Sequence, residues 1–275
     1  MRPADPVPTA SDPSCPSPLG PGDPPPVTVL NREGRAPVLV LCDHAANAVP
    51  ARLGRLGLDE AAFGRHIAYD VGAAGVTRLL SRRFDAPAVL SGYSRLVVDI
   101  NRAVDDPTWL PEISDGVVVP GNRGLGAAEV AARRQAIYDP YHAAVAAEID
   151  RMLGEGRVPA IVSIHSFTPV MRGFERPWHL GVLWDRDPRL SVPLIEALRR
   201  DPRLVVGDNE PYTGRDTLGS TTDVHATRRG LPHVLVELRQ DLVVTPAGEA
   251  EWAGILAGAL SPLLDDPALY RVERY

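Results

Sequence analysis

Short apolar, β-branched runs alternate with longer amphipathic stretches along the chain beyond residue 27. Runs such as VLVL, AIVSI and VLVEL are continuously apolar, which is typical of strands buried on both faces. The predicted strands are Val38–Cys42, Ala88–Ser91, Leu96–Ile100, Ala160–His165, Leu180–Trp184, Leu204–Val206 and His233–Leu238. The predicted helices are Val71–Phe84, Ala127–Gly154, Val192–Arg200 and Pro246–Leu260. This alternation predicts one α/β domain with three layers, in which helices cover both faces of a central sheet.

The first 26 residues differ in composition from the rest of the chain. Ten of the 28 prolines fall here, and the segment has almost no large apolar side chains to bury. Packing cannot offset the conformational entropy of such a segment, so we predict a disordered, proline-rich tail over residues 1–26. A polyproline ligand for an adaptor protein is the alternative. Residues 27–275 are predicted to form a single α/β domain, with the aperiodic stretch Ala103–Gly126 as a loop in the wall of its site.

Composition and charge exclude several classes of protein. The chain has 275 residues, 44% of them hydrophobic and 23% charged, which is typical of a globular protein. Its formal net charge of −6, without a dense Lys/Arg block, argues against nucleic acid or an anionic membrane as a partner. Two cysteines, no long apolar run and no apolar segment near the amino terminus argue against a disulfide framework, a membrane span and secretion. We expect a cytoplasmic protein with a small-molecule partner, and a homo-oligomer is left open.

Reactive side chains stand at the ends of several predicted strands. His44 follows the first strand, His165 ends the fourth, and Glu237 lies inside the last. Arg95 and Arg102 bracket the predicted strand between them. Ligands of open α/β sheets bind at the carboxyl ends of the strands, so we expect these side chains to form one site.

Glu237 is the most informative of these residues. A carboxylate within a run of Val and Leu is costly to bury unless it is paired, bound to a metal or retained as a base, because the charged form loses hydration. An edge strand that turns Glu237 towards water, or an ion pair with Arg239, would also explain it.

His44 and His165 stand at equivalent positions of two buried strands. Imidazole is a common zinc ligand, and two histidines with one oxygen ligand leave a coordination position open for water. Hydrogen-bonded structural histidines are the alternative. Cys42 precedes His44 by two residues, so a thiol nucleophile with a histidine base is a further alternative.

The two arginines offer fork-shaped donors for a substrate carboxylate or for the oxyanion that forms when water attacks a carbonyl. Surface ion pairs of Arg95 and Arg102 with Asp99 or Asp105 are the alternative. Among the remaining histidines, His225 is the best candidate for the site because we expect it to share a loop with Arg228, whereas His142 is predicted on a helix surface.

An ordered set of motifs resembles a known family. The segments are CDHAAN (42–47), YDVGAAG (69–75), SRLVVDINR (94–102), SIHSFTP (163–169), WHLGVLWDRD (178–187), GDNEPY (207–212) and LPHVLVELRQD (231–241). Together they resemble the N-formylglutamate amidohydrolase family, which is related to the zinc carboxypeptidases and aspartoacylases. The resemblance implies an α/β/α fold of the phosphorylase/hydrolase type with a mixed, mostly parallel sheet. It also implies hydrolysis of N-formyl-L-glutamate to glutamate and formate, with zinc or another divalent metal.

The resemblance also implies roles for individual residues. Glu237 matches the general base and acid, and Arg95 matches the arginine that polarises the scissile carbonyl. Asn101 and Arg102 match the pair that holds the substrate's carboxylate. We expect Asn47 and His225 to contact the substrate as well.

The metal ligands depart from the pattern of the wider group. That group uses H-x-x-E, whereas this chain has His44-Ala-Ala-Asn47. We therefore expect His44 and His165 as ligands, with Asp70 as the third. Asn47 would then bind or orient the substrate.

The sequence determines neither the side chain of the substrate nor which of several functions is correct. A γ-carboxylate of the substrate needs a basic partner, and the candidates are Arg123, Arg172, Arg215 and Arg228. A hydrolase of another N-acyl amino acid or of a peptide carboxy-terminus, and a non-catalytic binding module, are the competing functions.

Overall fold

The computed structural model describes residues 16–215 and 217–275. Within these ranges the central sheet has seven strands: β1 (Val27–Leu30), β2 (Val38–Cys42), β3 (Ala88–Ser91), β4 (Ala160–Phe167), β5 (Leu180–Leu183), β6 (Val206–Asp208) and β7 (His233–Arg239). Their order is β1-β3-β2-β4-β7-β5-β6. Strands β3, β2, β4 and β7 are parallel neighbours, β1 and β5 pair antiparallel with β3 and β7, and β6 is parallel to β5. The predicted mixed, mostly parallel α/β sheet is confirmed.

Helices cover both faces of this sheet. Their bounds are α1 (Ala73–Phe84), α2 (Ala127–Arg133), α3 (Asp139–Gly154), α4 (Ser191–Arg199), α5 (Thr221–His225), α6 (Gln240–Val243) and α7 (Pro246–Leu264). Side chains alternate between the faces of a strand, so Val40 and Val162 pack in one core cluster with α1, α4 and α7. Leu41 and Ile161 pack on the other face against α3.

The sheet brings the strand ends together on the α3 face. In the parallel pair of β4 and β7, Glu237 lies opposite His165. Strand β2 pairs with the other edge of β4 up to Leu41 and Ser163, and the chain continues from there to His44. The ends of three adjacent parallel strands therefore meet at one edge, which positions the site.

The apolar run Leu96–Ile100 is not a strand, and that prediction was wrong. The residues form turns, and Leu96, Val97 and Val98 are buried in a second core cluster beside the sheet. Their carbonyl groups accept hydrogen bonds from side chains: Asn122 donates to the carbonyl of Leu96, and Arg133 donates to that of Val97. A continuous apolar run cannot distinguish a buried strand from a buried turn.

Arg133 should contribute strongly to stability because it holds this segment in place. Its buried guanidinium donates to Val97 O at 3.1 Å, to Asn122 Oδ1 at 2.6 Å and to Gly121 O at 2.9 Å. Arg133→Ala leaves these buried acceptors unpaired, so we expect it to lower the free energy of unfolding by about 3 kcal/mol. Arg134→Ala removes only a half-exposed ion pair with Asp139 and should change it by less than about 1 kcal/mol. Urea unfolding of the two variants measures the difference, and equal effects would contradict this role.

Other predicted elements are present with shifted bounds. The predicted helix Ala127–Gly154 is α2 and α3 joined by a π-helical turn, Arg134–Tyr138. Pro140 has no amide hydrogen to donate to residue 136, which accounts for the interruption. The stretch Ala103–Gly126 contains a short hairpin, and its Trp109 is buried in the second core cluster, so it packs away from the site rather than walling it.

Part of the predicted tail lies against the domain. Residues 1–15 of that prediction lie outside the described residues. Residues 16–26 are coil and turn with specific contacts: Tyr93 donates to Pro24 O at 2.5 Å, and Asp23 accepts from the amide of Ala51 at 2.9 Å. None of the helices in the described ranges has the length and hydropathy needed to cross a bilayer.

Candidate functional site

His44, Asp70 and His165 meet at the edge where the parallel strands end. All three side chains are buried, and one potential ligand atom from each lies within 4.8 Å of the others. Asp70 Oδ2 lies 2.9 Å from His165 Nδ1 and 3.4 Å from His44 Nδ1. The structure thus brings together the three residues that we predicted as metal ligands.

The turn before α1 places Asp70 at this point. Its amide donates to His44 O at 3.0 Å, and its carboxylate accepts from the amide of Ser166. Gly72 follows with a φ of 77°, and a Cβ at this position would come within 2.1 Å of Val243 O. The glycine in the YDVGAAG motif therefore allows the turn that carries Asp70 to the strand ends.

Two further carboxylates orient the histidines. His44 Nε2 lies 2.8 Å from Asp99 Oδ1, and His165 Nε2 lies 3.1 Å from Asp43 Oδ2. Tyr141 of α3 in turn donates to Asp43 Oδ1 at 2.6 Å. Each imidazole therefore directs Nδ1 towards Asp70, while its Nε2 is hydrogen-bonded to a second carboxylate. This arrangement fixes the tautomer and ring orientation of metal-binding histidines.

The carboxylates and imidazoles of the cluster stabilise each other's charges. Burial alone would raise the pKa of Asp70, but the neighbouring His44 and His165 hold it well below its ordinary value. Burial would lower the pKa of His165, but its hydrogen bonds to Asp43 and Asp70 raise it well above the ordinary value. The cluster thus keeps its carboxylates ionised while it is buried. Three donors of this kind in one buried group can hold a divalent cation.

Glu237 lies beside the cluster with one carboxylate oxygen unpaired. Its side chain is buried, and Oε2 has no hydrogen-bond partner among the described residues. Burial raises the pKa of Glu237 to about 7, against the opposing attraction of His165 and Arg95. A carboxyl group with a pKa near neutrality can both accept and return a proton, which is the requirement for a general base and acid.

The raised pKa of Glu237 predicts a measurable effect on stability. Because the folded state holds this proton more tightly, the contribution is complete below the ordinary pKa of 4.5 and is lost as the pH rises through about 7. Glutamine has no charge to bury, so in the absence of metal the free energy of unfolding of Glu237→Gln should exceed that of the wild type by on the order of 3 kcal/mol at pH 8.5. At pH 4.5 the two should differ little. Urea unfolding at both pH values checks this, and a difference independent of pH would contradict it.

The predicted substrate-binding groups divide between the site and other places. Arg95, Asn101 and Arg102 line the same cavity as the cluster. Arg95 Nε and Nη2 donate to Asp99 at 3.0 and 2.6 Å, while Nη1 lies 3.7 Å from Asp70. Asn101 Oδ1 accepts from the amide of Thr221, which leaves its NH2 group as a donor.

Asn47 and His225 lie outside the cavity wall. Asn47 is exposed and donates to Phe63 O at 2.8 Å. His225 is buried and stacks on His142, with 2.8 Å between His225 Nε2 and His142 Nδ1. Burial and the neighbouring His142 lower the pKa of His225 to about 4. Nothing in these positions supports contact with a substrate, and His142 lies in this stack rather than on a helix surface.

Cys42 is not placed to act as a nucleophile. It is completely buried in the core cluster on the α1 face, opposite the site. Burial, with Asp70 and Asp43 nearby, raises its pKa well above the ordinary value. The thiolate required for nucleophilic attack is therefore disfavoured.

Sequence reasoning missed the carboxylates that hold the histidines. Asp43 and Asp99 both lie within motifs quoted above, CDHAAN and SRLVVDINR, but the sequence does not show which histidine each contacts. The hydrogen bond from Tyr141 to Asp43 was missed as well. A buried Tyr that needs a partner for its hydroxyl was the available signal.

The cavity in front of the cluster has a volume of about 650 Å³. Its walls come from the ends of β4 and β7, from the segment after β5 and from the loop before α5. Lining residues outside the predicted set include Ser166, Leu183, Trp184, Tyr212, Ser220 and Thr222. The space is large enough for an amino-acid derivative and polar enough to orient it.

Comparison with known proteins gives the family. A family model, described as N-formylglutamate amidohydrolase, matches residues 36–244. The structure of the gene product Atu2144 from Agrobacterium tumefaciens is similar, with a TM-score of 0.86 and 36% identity over 90% of this chain and 97% of that one.

A second solved structure shares the fold at lower identity. The N-formylglutamate amidohydrolase from Ralstonia eutropha JMP134 has a TM-score of 0.63 and 20% identity, over 87% of this chain and 97% of that one. No protein with a curated description matches the sequence significantly. The extent of the family match decides the assignment, and this chain belongs to the N-formylglutamate amidohydrolase family.

Proposed function

We propose that this protein is a metal-dependent amidohydrolase that releases the acyl group from a small N-acyl amino acid. Its family supports a hydrolase that acts on an amide C–N bond, and the family's name points to N-formyl-L-glutamate, with glutamate and formate as products. The observation that carries the proposal is the unpaired, buried carboxylate of Glu237 beside His44, Asp70 and His165.

The donor set fits a divalent metal such as zinc. His44, His165 and Asp70 would hold it. The Nε2 atom of each imidazole is already hydrogen-bonded to a carboxylate, which orients Nδ1 for metal binding. A bound divalent ion supplies Lewis acidity, which polarises an amide carbonyl and makes water a better nucleophile near neutral pH.

Glu237 performs the proton transfers. Its ionised carboxylate accepts a proton from the attacking water as the C–O bond forms. It then returns that proton to the amide nitrogen as the C–N bond breaks, so the products are a carboxylic acid and a free amine. The pKa of about 7 makes both transfers accessible in one cycle.

The arginines and Asn101 position the substrate. Arg95 is held by Asp99 and directs Nη1 towards the cluster, where it can donate to the developing oxyanion. Arg102 has no ion pair with a described carboxylate, and it lines the cavity together with Asn101. Together they can grip the α-carboxylate and orient the amide.

Arg102→Ala should therefore weaken substrate binding. We expect KM to rise about 10- to 100-fold, because a charge-assisted, bidentate contact is lost. Arg102→Lys should recover only part of that loss. Arg123→Ala, an exposed arginine outside the cavity, is the matched control and should leave KM unchanged. Steady-state kinetics on N-formyl amino acids tests this, and an unchanged KM for Arg102→Ala would refute the assigned role.

An assay of formate release tests the function itself. The purified protein should hydrolyse N-formyl amino acids, lose at least about 100-fold in rate after exhaustive chelation and recover when zinc is restored. An unchanged rate after chelation would refute the metal dependence. A zinc-loaded protein that hydrolyses no N-acyl amino acid would refute the proposed function and favour a binding module.

A further inference from the structure

The cavity extends from Glu237 along the face of β7. Side chains two residues apart point to the same face of a strand, so Leu235 and His233 continue the row that begins at Glu237. Glu237 and His233 are four residues apart, which is about 13 Å along an extended strand. We use the name side lobe for this part of the cavity, which is lined by Leu183, Ser220, Thr222, Thr227, His233 and Leu235. A formyl group needs none of this space.

The side lobe faces the amino-acid part of the substrate. Asn101 accepts a hydrogen bond from the amide of Thr221 at 2.9 Å, so the groups proposed to hold the α-carboxylate are attached to the helix that walls the lobe. If Asn101 and Arg102 hold the α-carboxylate, as proposed above, the Cα of the substrate would lie at the entrance to the lobe. Its side chain is then the group that enters.

None of the described residues that line the side lobe is an arginine or a lysine. His66, which also lines the cavity, lies 3.3 Å from Asp115, and burial lowers its pKa. Arg95 is paired with Asp99, and Arg102 is assigned to the α-carboxylate. The guanidinium of Arg186 is paired with Asp185 at 3.5 Å, and the Arg186 side chain is 65% exposed. Burial lowers the pKa of His233, so this imidazole is neutral near pH 7.

The four arginines considered from the sequence do not supply the missing charge. Arg123, Arg172 and Arg215 are exposed and lie outside the cavity wall, and Arg228 is paired with Asp223. A carboxylate moved from water into this lobe would lose hydration without gaining a counterion.

The hydrogen-bonding groups at the inner end of the side lobe also favour an uncharged side chain over a carboxylate. His233 Nδ1 lies 2.9 Å from Leu231 O, which only accepts, so Nδ1 carries the proton and Nε2 is an acceptor. The hydroxyl of Thr227, 3.2 Å from Nε2, therefore donates to it and presents its own lone pairs. A side-chain amide can donate to that oxygen, whereas an ionised carboxylate has no proton to give.

We propose that the side lobe selects N-acyl amino acids with an uncharged, hydrogen-bonding side chain such as a carboxamide, and discriminates against the carboxylate of glutamate. This rests on the proposed function, because it takes Asn101 and Arg102 as the holders of the α-carboxylate. It keeps the reaction proposed above but replaces N-formyl-L-glutamate, the substrate to which the family's name points, by a derivative with an uncharged side chain. Substrate choice is thus set by Thr227 and His233, two residues outside the catalytic cluster.

N-formyl-L-glutamine and N-formyl-L-glutamate test this most cleanly, because the two substrates have nearly the same shape and differ in charge. With the zinc-loaded enzyme we expect kcat/KM for the glutamine derivative to be at least about tenfold higher. A smaller ratio, or a preference for the glutamate derivative, would overturn the proposal while leaving the proposed function intact.

An isosteric variant tests whether Thr227 is responsible for the preference for the glutamine derivative. Thr227→Val keeps the shape of the lobe but removes the accepting oxygen, so the glutamine-to-glutamate ratio should fall at least about fivefold. Thr108→Val, at an exposed threonine outside the cavity, is the matched control and should keep the ratio of the wild type. An unchanged ratio in Thr227→Val would refute the hydrogen-bond argument.

Binding of the free amino acids separates this inference from the proposed function. If the zinc-loaded protein hydrolyses neither derivative, the proposed function fails, but the lobe can still be tested by the shift in Tm that L-glutamine and L-glutamate produce. A larger shift with glutamine supports the side lobe, and an equal or larger shift with glutamate overturns it.

Discussion

Glu237→Gln is expected to lower kcat by at least about a thousandfold while the protein still binds metal and substrate. Glutamine has the shape of glutamate but cannot accept the proton of the attacking water. The residue is buried on β7 opposite His165, and the change removes a charge without adding volume. The loss should therefore appear in kcat, with KM and metal content close to those of the wild type.

A second buried glutamate provides the control for this variant. Glu148 on α3 is buried and paired with Arg32 and Arg151, away from the cavity. Glu148→Gln should reduce stability, because it removes the buried charge that pairs with both arginines, but should keep kcat within about threefold of the wild type. Comparable losses of kcat in both variants would show that general disruption, and not proton transfer, explains the effect of Glu237→Gln.

Asp70→Asn is expected to abolish metal binding. Among the residues that the structure describes, Asp70 is the single carboxylate that contacts both His165 Nδ1 and His44 Nδ1, and asparagine keeps its size while removing its charge. An amide oxygen is a much weaker zinc ligand than a carboxylate. We expect less than about 0.1 metal ion per chain after dialysis, against about one in the wild type, and activity lost to the same extent.

The outer carboxylates should give a graded effect. Asp43→Asn and Asp99→Asn leave the three donors in place but weaken the hydrogen bonds that orient the histidines. Their metal affinity should fall only about 10- to 100-fold, so saturating metal should restore most of the occupancy. Metal titration of the three variants measures this order. If Asp70→Asn held metal as tightly as Asp43→Asn, Asp70 would not be a ligand.

The fold could be predicted from the sequence wherever the burial of an element produces a recognisable pattern of apolar residues. The runs that became β2, β4 and β7 are buried on both faces, so they are continuously apolar and are recognisable as central strands. The run after Arg95 is equally apolar but became a buried turn, because side chains of Asn122 and Arg133 satisfy its carbonyls. Such long-range hydrogen bonds have no periodic signature in the chain.

The site was accessible to a similar extent. His44, His165 and Glu237 could be related because parallel strands place their carboxyl ends together. The contacts of Asp43 with His165 and of Asp99 with His44 could not be predicted. Each contact joins residues more than fifty positions apart, and the conformation of loops brings them together. The proposed selectivity of the side lobe could not be predicted from the sequence either. It depends on which group donates the hydrogen bond between Thr227 and His233.

A crystal structure of the zinc-loaded Glu237→Gln variant with an N-formyl amino acid, recorded at the zinc absorption edge, tests the central claim most directly. The account predicts an anomalous peak among His44 Nδ1, His165 Nδ1 and the Asp70 carboxylate, with the substrate's α-carboxylate against Asn101 and Arg102. A peak elsewhere in the protein, or an ordered substrate with its carboxylate away from Arg102, would contradict it.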